Sequence, residues 1–133
     1  DLLLGLDGTA FPSYYEPWGY TPLEAIAFKV PCVTTDLAGF GLWANSVKGG
    51  ISEIEDGVKV IHRTDYNYSE VADAIKDTVI KYIHFSPSKI KKARGNAEKL
   101  SKKALWSEFI KYYYDAYDEA LRRAAVRNHN SKK

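Results

Sequence analysis

The sequence predicts an α/β fold in which a partial parallel sheet with flanking helices precedes a helical carboxyl-terminal region. Short β-branched or apolar runs recur up to about residue 62, each followed by a loop carrying glycine or proline. A helix signal lies between the first two runs, the order of a crossover unit, which makes the strands parallel. From Asn67 onward the pattern turns helical throughout.

Thr9 to Pro12 reads as a strand closed by proline, and Ser13 to Tyr20 as a loop with Pro17 and Gly19. Thr21-Pro22-Leu23-Glu24 opens a helix, because Thr is a favoured cap, Pro suits the first turn, and Glu three residues on completes a capping box. That helix runs to about Phe28 or Lys29 and Pro31 ends it. Cys32-Val33-Thr34-Thr35 is a buried strand by its β-branched content. Asp36 to Gly41 reads as a loop with two glycines, and residues 42–55 as loop or short irregular helix. The Asp56-Gly57 turn leads into a third strand, Val58 to Ile61.

Three helices follow. One spans about Ser69 to Ile83, with Ala72, Ile75, Val79 and Tyr82/Ile83 inward. The next opens at Ser86-Pro87 and reaches about Lys103, with Ile90, Ala93, Ala97 and Leu100 inward. The last spans about Leu105 to Ala125, where Trp106, Phe109, Ile110, Tyr113, Tyr117 and Leu121 form an apolar stripe. Residues 1–127 are thus expected to form one domain of a larger protein, with 128–133 a frayed tail.

Composition narrows the function classes. The chain has 133 residues, 45% of them apolar and 27% charged, as in ordinary globular proteins. No run reaches the about 18 apolar residues of a membrane span, and Asp1 to Gly8 do not read as a signal peptide. It starts without Met, so it is expected to be cut from something longer. A single cysteine, Cys32, excludes an internal disulfide and suits a reducing cytoplasm. Charge is uneven: residues 1–66 hold 4 Lys/Arg against 9 Asp/Glu, and residues 67–133 hold 15 against 8. The lysines fall on polar helix faces without a nucleic-acid motif, so no nucleic-acid partner and no membrane partner are expected.

The segment Phe11 to Glu24 carries the chemistry. A glycine just before a helix lets the backbone approach a ligand closely. The free amides of Gly19, Tyr20 and the first helical turn, with the helix dipole, make an anion site suited to phosphate. Pro22 removes one donor and leaves others. Glu16 could accept hydrogen bonds from sugar hydroxyls or stabilise positive charge at a sugar carbon, and Glu24 could hold ribose hydroxyls. From spacing alone, a purely capping role for Thr21 and Glu24 stands level with ligand binding. Trp18, Tyr14 and Tyr15 are as readily packing residues as stacking ones.

Glu16 and Glu24 are separated by seven residues, and the segment resembles the E-x7-E motif of retaining glycosyltransferases with two Rossmann-like domains, the GT-B architecture. The string Ser13-Tyr14-Tyr15-Glu16-Pro17-Trp18-Gly19-Tyr20-Thr21-Pro22-x-Glu24 is similar to glycogen synthases of the animal and fungal type, as are Thr34-Thr35-Asp36-Leu37-Ala38-Gly39-Phe40-Gly41 and the closing helix with Trp106, Phe109, Tyr113 and Tyr117. The resemblance covers most of the chain, in order. It implies a partial Rossmann-like sheet from the carboxyl-terminal domain of such an enzyme.

The resemblance also implies roles. Glu16 would be the catalytic contact to the donor glucose. The Trp18–Gly19 backbone would hold sugar hydroxyls, Tyr20 and Thr21 the distal phosphate, and Glu24 the ribose. The reaction implied is transfer of glucose, with retention, from UDP-glucose to the non-reducing end of an α-1,4-glucan. No metal or other cofactor is expected, and the chain has no Asp-x-Asp motif.

The departures matter as well. The family's amino-terminal, acceptor-binding domain is absent, and no Arg/Lys pair precedes Glu16 to neutralise the diphosphate. The fragment alone is therefore expected to be inactive. Arg122, Arg123 and Arg127 read as solvated surface rather than an allosteric cluster. The alternatives are an ADP-glucose-dependent synthase or a sucrose-type enzyme of the same architecture, and a non-catalytic binding module.

Overall fold

A computed structural model describes residues 2–130, with side chains to residue 127. The chain divides into two units, Asp1–Lys102 and Lys103–Lys133. In the first, the elements are β1 (Thr9–Phe11), α1 (Tyr20–Ala27), β2 (Cys32–Thr35), α2 (Gly39–Lys48), β3 (Val58–Ile61), α3 (Tyr68–Ile83) and α4 (Pro87–Lys102), with 3-10 turns at Leu3–Gly5 and Ile54–Asp56. No helix among the described residues is long and apolar enough to cross a membrane.

The sheet has the order β1-β2-β3 and is parallel, as crossover helices require. Thr9 pairs with Cys32, and Cys32 with Val58. β2 is buried along its whole length, which explains its run without polar alternation. Side chains of period two divide between the faces. Cys32, Val58 and Val60 pack with Ile26, Phe40, Ala44 and Ala97 on one side. Val33 and Ile61 pack with Val71, Ala74 and Ile75 on the other. Burial pushes the Cys32 thiol far above its ordinary range, so it stays protonated and acts as a small apolar side chain.

Three expectations are corrected. Residues 39–48 form a regular helix, α2, so the loop after β2 holds only residues 36–38. Gly39 and Gly41 lie inside this helix. A Cβ on Gly39 would overlap the carbonyl oxygen of Pro17, and one on Gly41 that of Thr35. These glycines permit close backbone approach, the reading of glycine that a turn assignment overlooks. Helix α1 is capped by Gly19, with no side-chain cap bond, so Thr21 is inside the first turn and no Thr21–Glu24 capping box forms. In α3 the buried residues are Val71 and Thr78, with Ala74 and Ile75 packed beside Val71, while Ala72, Val79 and Ile83 are exposed. That face is rotated from the expected one because Thr78 turns inward, its hydroxyl donating to the carbonyl of Ala74 at 2.7 Å.

The turn before β3 is held by charge. Burial alone would raise the pKa values of Glu55 and Asp56, but hydrogen bonds from Lys81 and Lys48 outweigh it and hold both carboxyls below their ordinary values. The Lys81–Glu55 contact is 3.0 Å. A carboxylate with a depressed folded pKa stabilises above its unfolded pKa of about 4, and that stabilisation is lost as pH falls through the folded value. Acidification below about pH 4 should therefore reduce hydrogen-exchange protection at Val58, less steeply in Lys81→Met. Identical acid profiles for the two proteins would rule this out.

The second unit holds α5 (Trp106–Asn130). Of the expected stripe, Trp106, Tyr113 and Tyr117 make ring contacts along the helix, Trp106–Tyr113 at 5.0 Å and Tyr113–Tyr117 at 6.3 Å, and all three are exposed. Arg122 and Arg123 are exposed and paired with Glu119, in keeping with a solvated surface. Helix α5 continues through Asn130, and residues 131–133 of the tail expected at 128–133 lie outside the described residues.

Candidate functional site

Because the three strands are parallel, their carboxyl ends share one edge, and the loops at 12–19, 36–38 and 62–67 all leave from it. The first of these is fastened by its neighbours. Thr35 Oγ1 donates to the carbonyl of Ser13 at 2.7 Å. The Glu16 amide donates to the carbonyl of Leu37 at 3.3 Å, and the Gly39 amide to that of Glu16 at 3.0 Å, forming an isolated parallel bridge between Glu16 and Ala38. The Phe40 amide donates to the carbonyl of Trp18 at 2.7 Å. The Trp18 ring packs against Phe40 and Trp43, with centroids 6.2 and 5.7 Å away.

Gly19 then turns the chain into α1 with φ of 113°, a conformation that side chains disfavour. No protein acceptor among the described residues takes the amides of Gly19, Tyr20 or Thr21. These donors, with the helix dipole behind them, form a local positive end. Beside them lies a cleft of about 310 Å³, lined by Ala10, Phe11, Pro12, Ser13, Glu16, Gly19, Thr21, Pro22, Thr34 and Ala38. Its volume is near the lower end for ligand pockets. The Thr34 hydroxyl in its wall has no hydrogen-bond partner among the described residues.

The structure therefore brings Glu16, Gly19 and Thr21 to one cleft. Tyr20 is exposed at the start of α1. Glu24 is exposed one turn further along the helix and does not line the cleft. The Trp18 side chain is half-buried, packs against the core cluster and does not line the cleft. Among the described residues no three His, Cys, Asp or Glu side chains are grouped as a metal ion would need.

Sequence reasoning missed one support of this loop and read Asp36, which ties that support in place, as a loop turn. Arg63, directly after β3, is only 5% exposed. Its Nη1 donates to the carbonyl of Pro12 at 2.6 Å, and its guanidinium lies 3.5 Å from the centre of the Tyr14 ring. Asp36 joins the ends of β2 and β3, accepting from the Arg63 amide at 2.9 Å and contacting His62 Nδ1 at 2.5 Å. In the sequence Arg63 resembles any surface base after a strand. The only hint was its position at the carboxyl end of a strand in an α/β fold.

The chain is similar to known proteins along its whole length. A family model described as glycogen synthase matches residues 1–133. The chain is 31% identical over 114 residues to glycogen (starch) synthase isoform 1 of Saccharomyces cerevisiae, covering 86% of this chain and 16% of that protein. It is 30% identical over 132 residues to the glycogen (starch) synthase of Neurospora crassa, covering 99% of this chain and 18% of that one. The liver glycogen (starch) synthase of Mus musculus is 31% identical over 114 residues, again 86% of this chain and 16% of the relative. The chain thus spans less than a fifth of the length of these relatives. With the match running over its full length, through the Glu16 loop and the cap of α1, the chain belongs to the glycogen synthase family.

Proposed function

We propose that this chain is the donor-gripping part of a retaining glucosyltransferase that moves glucose from UDP-glucose to the non-reducing end of an α-1,4-glucan. The observation that carries the reading is the set of unclaimed amides at Gly19, Tyr20 and Thr21 beside a cleft that also holds the Glu16 side chain. A diphosphate accepts hydrogen bonds from such amides and is stabilised by the helix dipole, without a metal ion to bridge it. Glu16, fixed by backbone bonds on both sides, then lies by the glucose. Glu24 on the outer face of α1 is the ribose contact.

In this mechanism the departing diphosphate and the oxocarbenium-like glucose carry the developing charges. The amides at the start of α1 stabilise the first and the Glu16 carboxylate the second. The acceptor attacks from the side the diphosphate leaves, so configuration is retained, and a donor phosphate oxygen takes the acceptor proton. The acceptor is held by parts of the protein beyond this chain, in a closed cleft that excludes water.

The test is glucosyl transfer by the full-length protein onto a glycogen primer, with labelled UDP-glucose and ADP-glucose in competition. Incorporation from UDP-glucose in α-linkage is expected, and none with the isolated 133-residue chain. Preference for ADP-glucose would overturn the donor assignment, and inverted linkage would overturn the mechanism.

A further inference from the structure

We propose that Arg63 is a positioning residue for Glu16, holding the loop between β1 and α1 from the far strand of the sheet; the inference rests on the role given to Glu16 above. Arg63 is buried, yet among the described residues no ion pair involves its guanidinium and its Nε has no hydrogen-bond partner. Burying a cation without a carboxylate is costly, and an apolar side chain of similar volume would fill the space more favourably. What the guanidinium does make are two contacts, and both are to one segment: the Pro12 carbonyl and the face of Tyr14. Glu16 follows two residues later.

The geometry accounts for arginine in particular. A planar guanidinium can lie over a ring while the N–H groups at its edge donate within its own plane, and a lysine ammonium cannot meet both demands. The other anchors of the loop come from β2, the 36–38 loop and α2, through Thr35, Leu37, Gly39 and Phe40. Arg63 adds the connection to β3. Its own amide is tied to Asp36, so the three loop ends at this edge are fastened to one another through residues 36 and 63.

The test is a cycle in the full-length protein: wild type, Arg63→Lys, Glu16→Gln and the double variant. For each, kcat and KM for UDP-glucose are measured on a glycogen primer, together with the melting temperature. Arg63→Lys is expected to lower kcat about 10- to 100-fold, with KM changed less than about twofold, as for a displaced catalytic group. In the Glu16→Gln background the same substitution should lower kcat no further. An unchanged kcat in Arg63→Lys, or an equal penalty in both backgrounds, would overturn the proposal, the latter because general loosening of the fold acts whether or not Glu16 is present. Full kcat in Glu16→Gln alone would instead remove the role of Glu16, and that outcome is read without reference to Arg63. Should Arg63→Lys fail to fold, Tyr14→Leu at a half-exposed position repeats the cycle by removing the ring alone. It is expected to lower kcat about threefold, again only where Glu16 is present, and wild-type kcat in that variant would overturn the proposal.

Discussion

Full-length protein carrying Glu16→Gln is expected to bind UDP-glucose nearly as well as the wild type and to lose about 100- to 1000-fold in kcat. Glutamine keeps the shape and one hydrogen-bond acceptor, so ground-state contact with a sugar hydroxyl survives. What it removes is negative charge, which matters most when the sugar carbon becomes cationic. The backbone at this position is pinned by the bonds from Glu16 to Leu37 and from Gly39 to Glu16, so the substituted side chain starts from the same place. The expected split, a large fall in kcat and little change in KM, separates this role from simple donor binding. A kcat within about threefold of wild type would mean that Glu16 is a loop carboxylate and nothing more.

Gly39→Ala is expected to damage both stability and activity. The added methyl group would overlap the Pro17 carbonyl oxygen and lie 3.3 Å from the Trp18 Cα. Both are backbone atoms, so no side-chain rotation relieves the overlap. Either α2 moves away from the sheet or the loop from Glu16 to Trp18 moves away from α2. The first loosens the packing of Phe40 and Ala44 in the core. The second breaks the Gly39–Glu16 and Phe40–Trp18 bonds that fix the site. The cost is expected to be about 2–3 kcal/mol, as for overpacking that forces a backbone shift. Activity should fall at least as far as in Arg63→Lys, since more anchors of the same loop are lost. Melting temperature and kcat both within error of the wild type would show that the two backbones are not in close contact.

The readable parts of this protein were those governed by local chemistry. Strands β1, β2 and β3 followed from short β-branched runs, and the end of α1 from Pro31. Helices α4 and α5 followed from apolar spacing, with only their ends displaced. The Glu16 loop and the glycine-led start of α1 were legible because a glycine before a helix has a direct physical meaning. α2 was not, because its glycines serve close approach to Pro17 and Thr35, which are distant in sequence, and nothing local distinguishes that use from a turn. The inward face of α3 was misplaced because Thr78 counts as polar until its hydroxyl finds the Ala74 carbonyl.

By itself, the sequence determined the α/β class, the parallel strands and, between Ser13 and Glu24, a loop that a glycine turns into a helix, since propensity and glycine geometry act over a few residues. Only the tertiary structure decided which of that segment's residues reach the cleft, packing the half-buried Trp18 ring against the core and placing Glu24 on the outer face of α1. It also decided what holds Glu16 still: Thr35, Gly39, Phe40 and Arg63 lie 19 to 47 residues away along the chain and meet it only because parallel strands deliver their carboxyl ends to one edge. Contacts of that range depend on the packing of the whole sheet, and no local pattern encodes them.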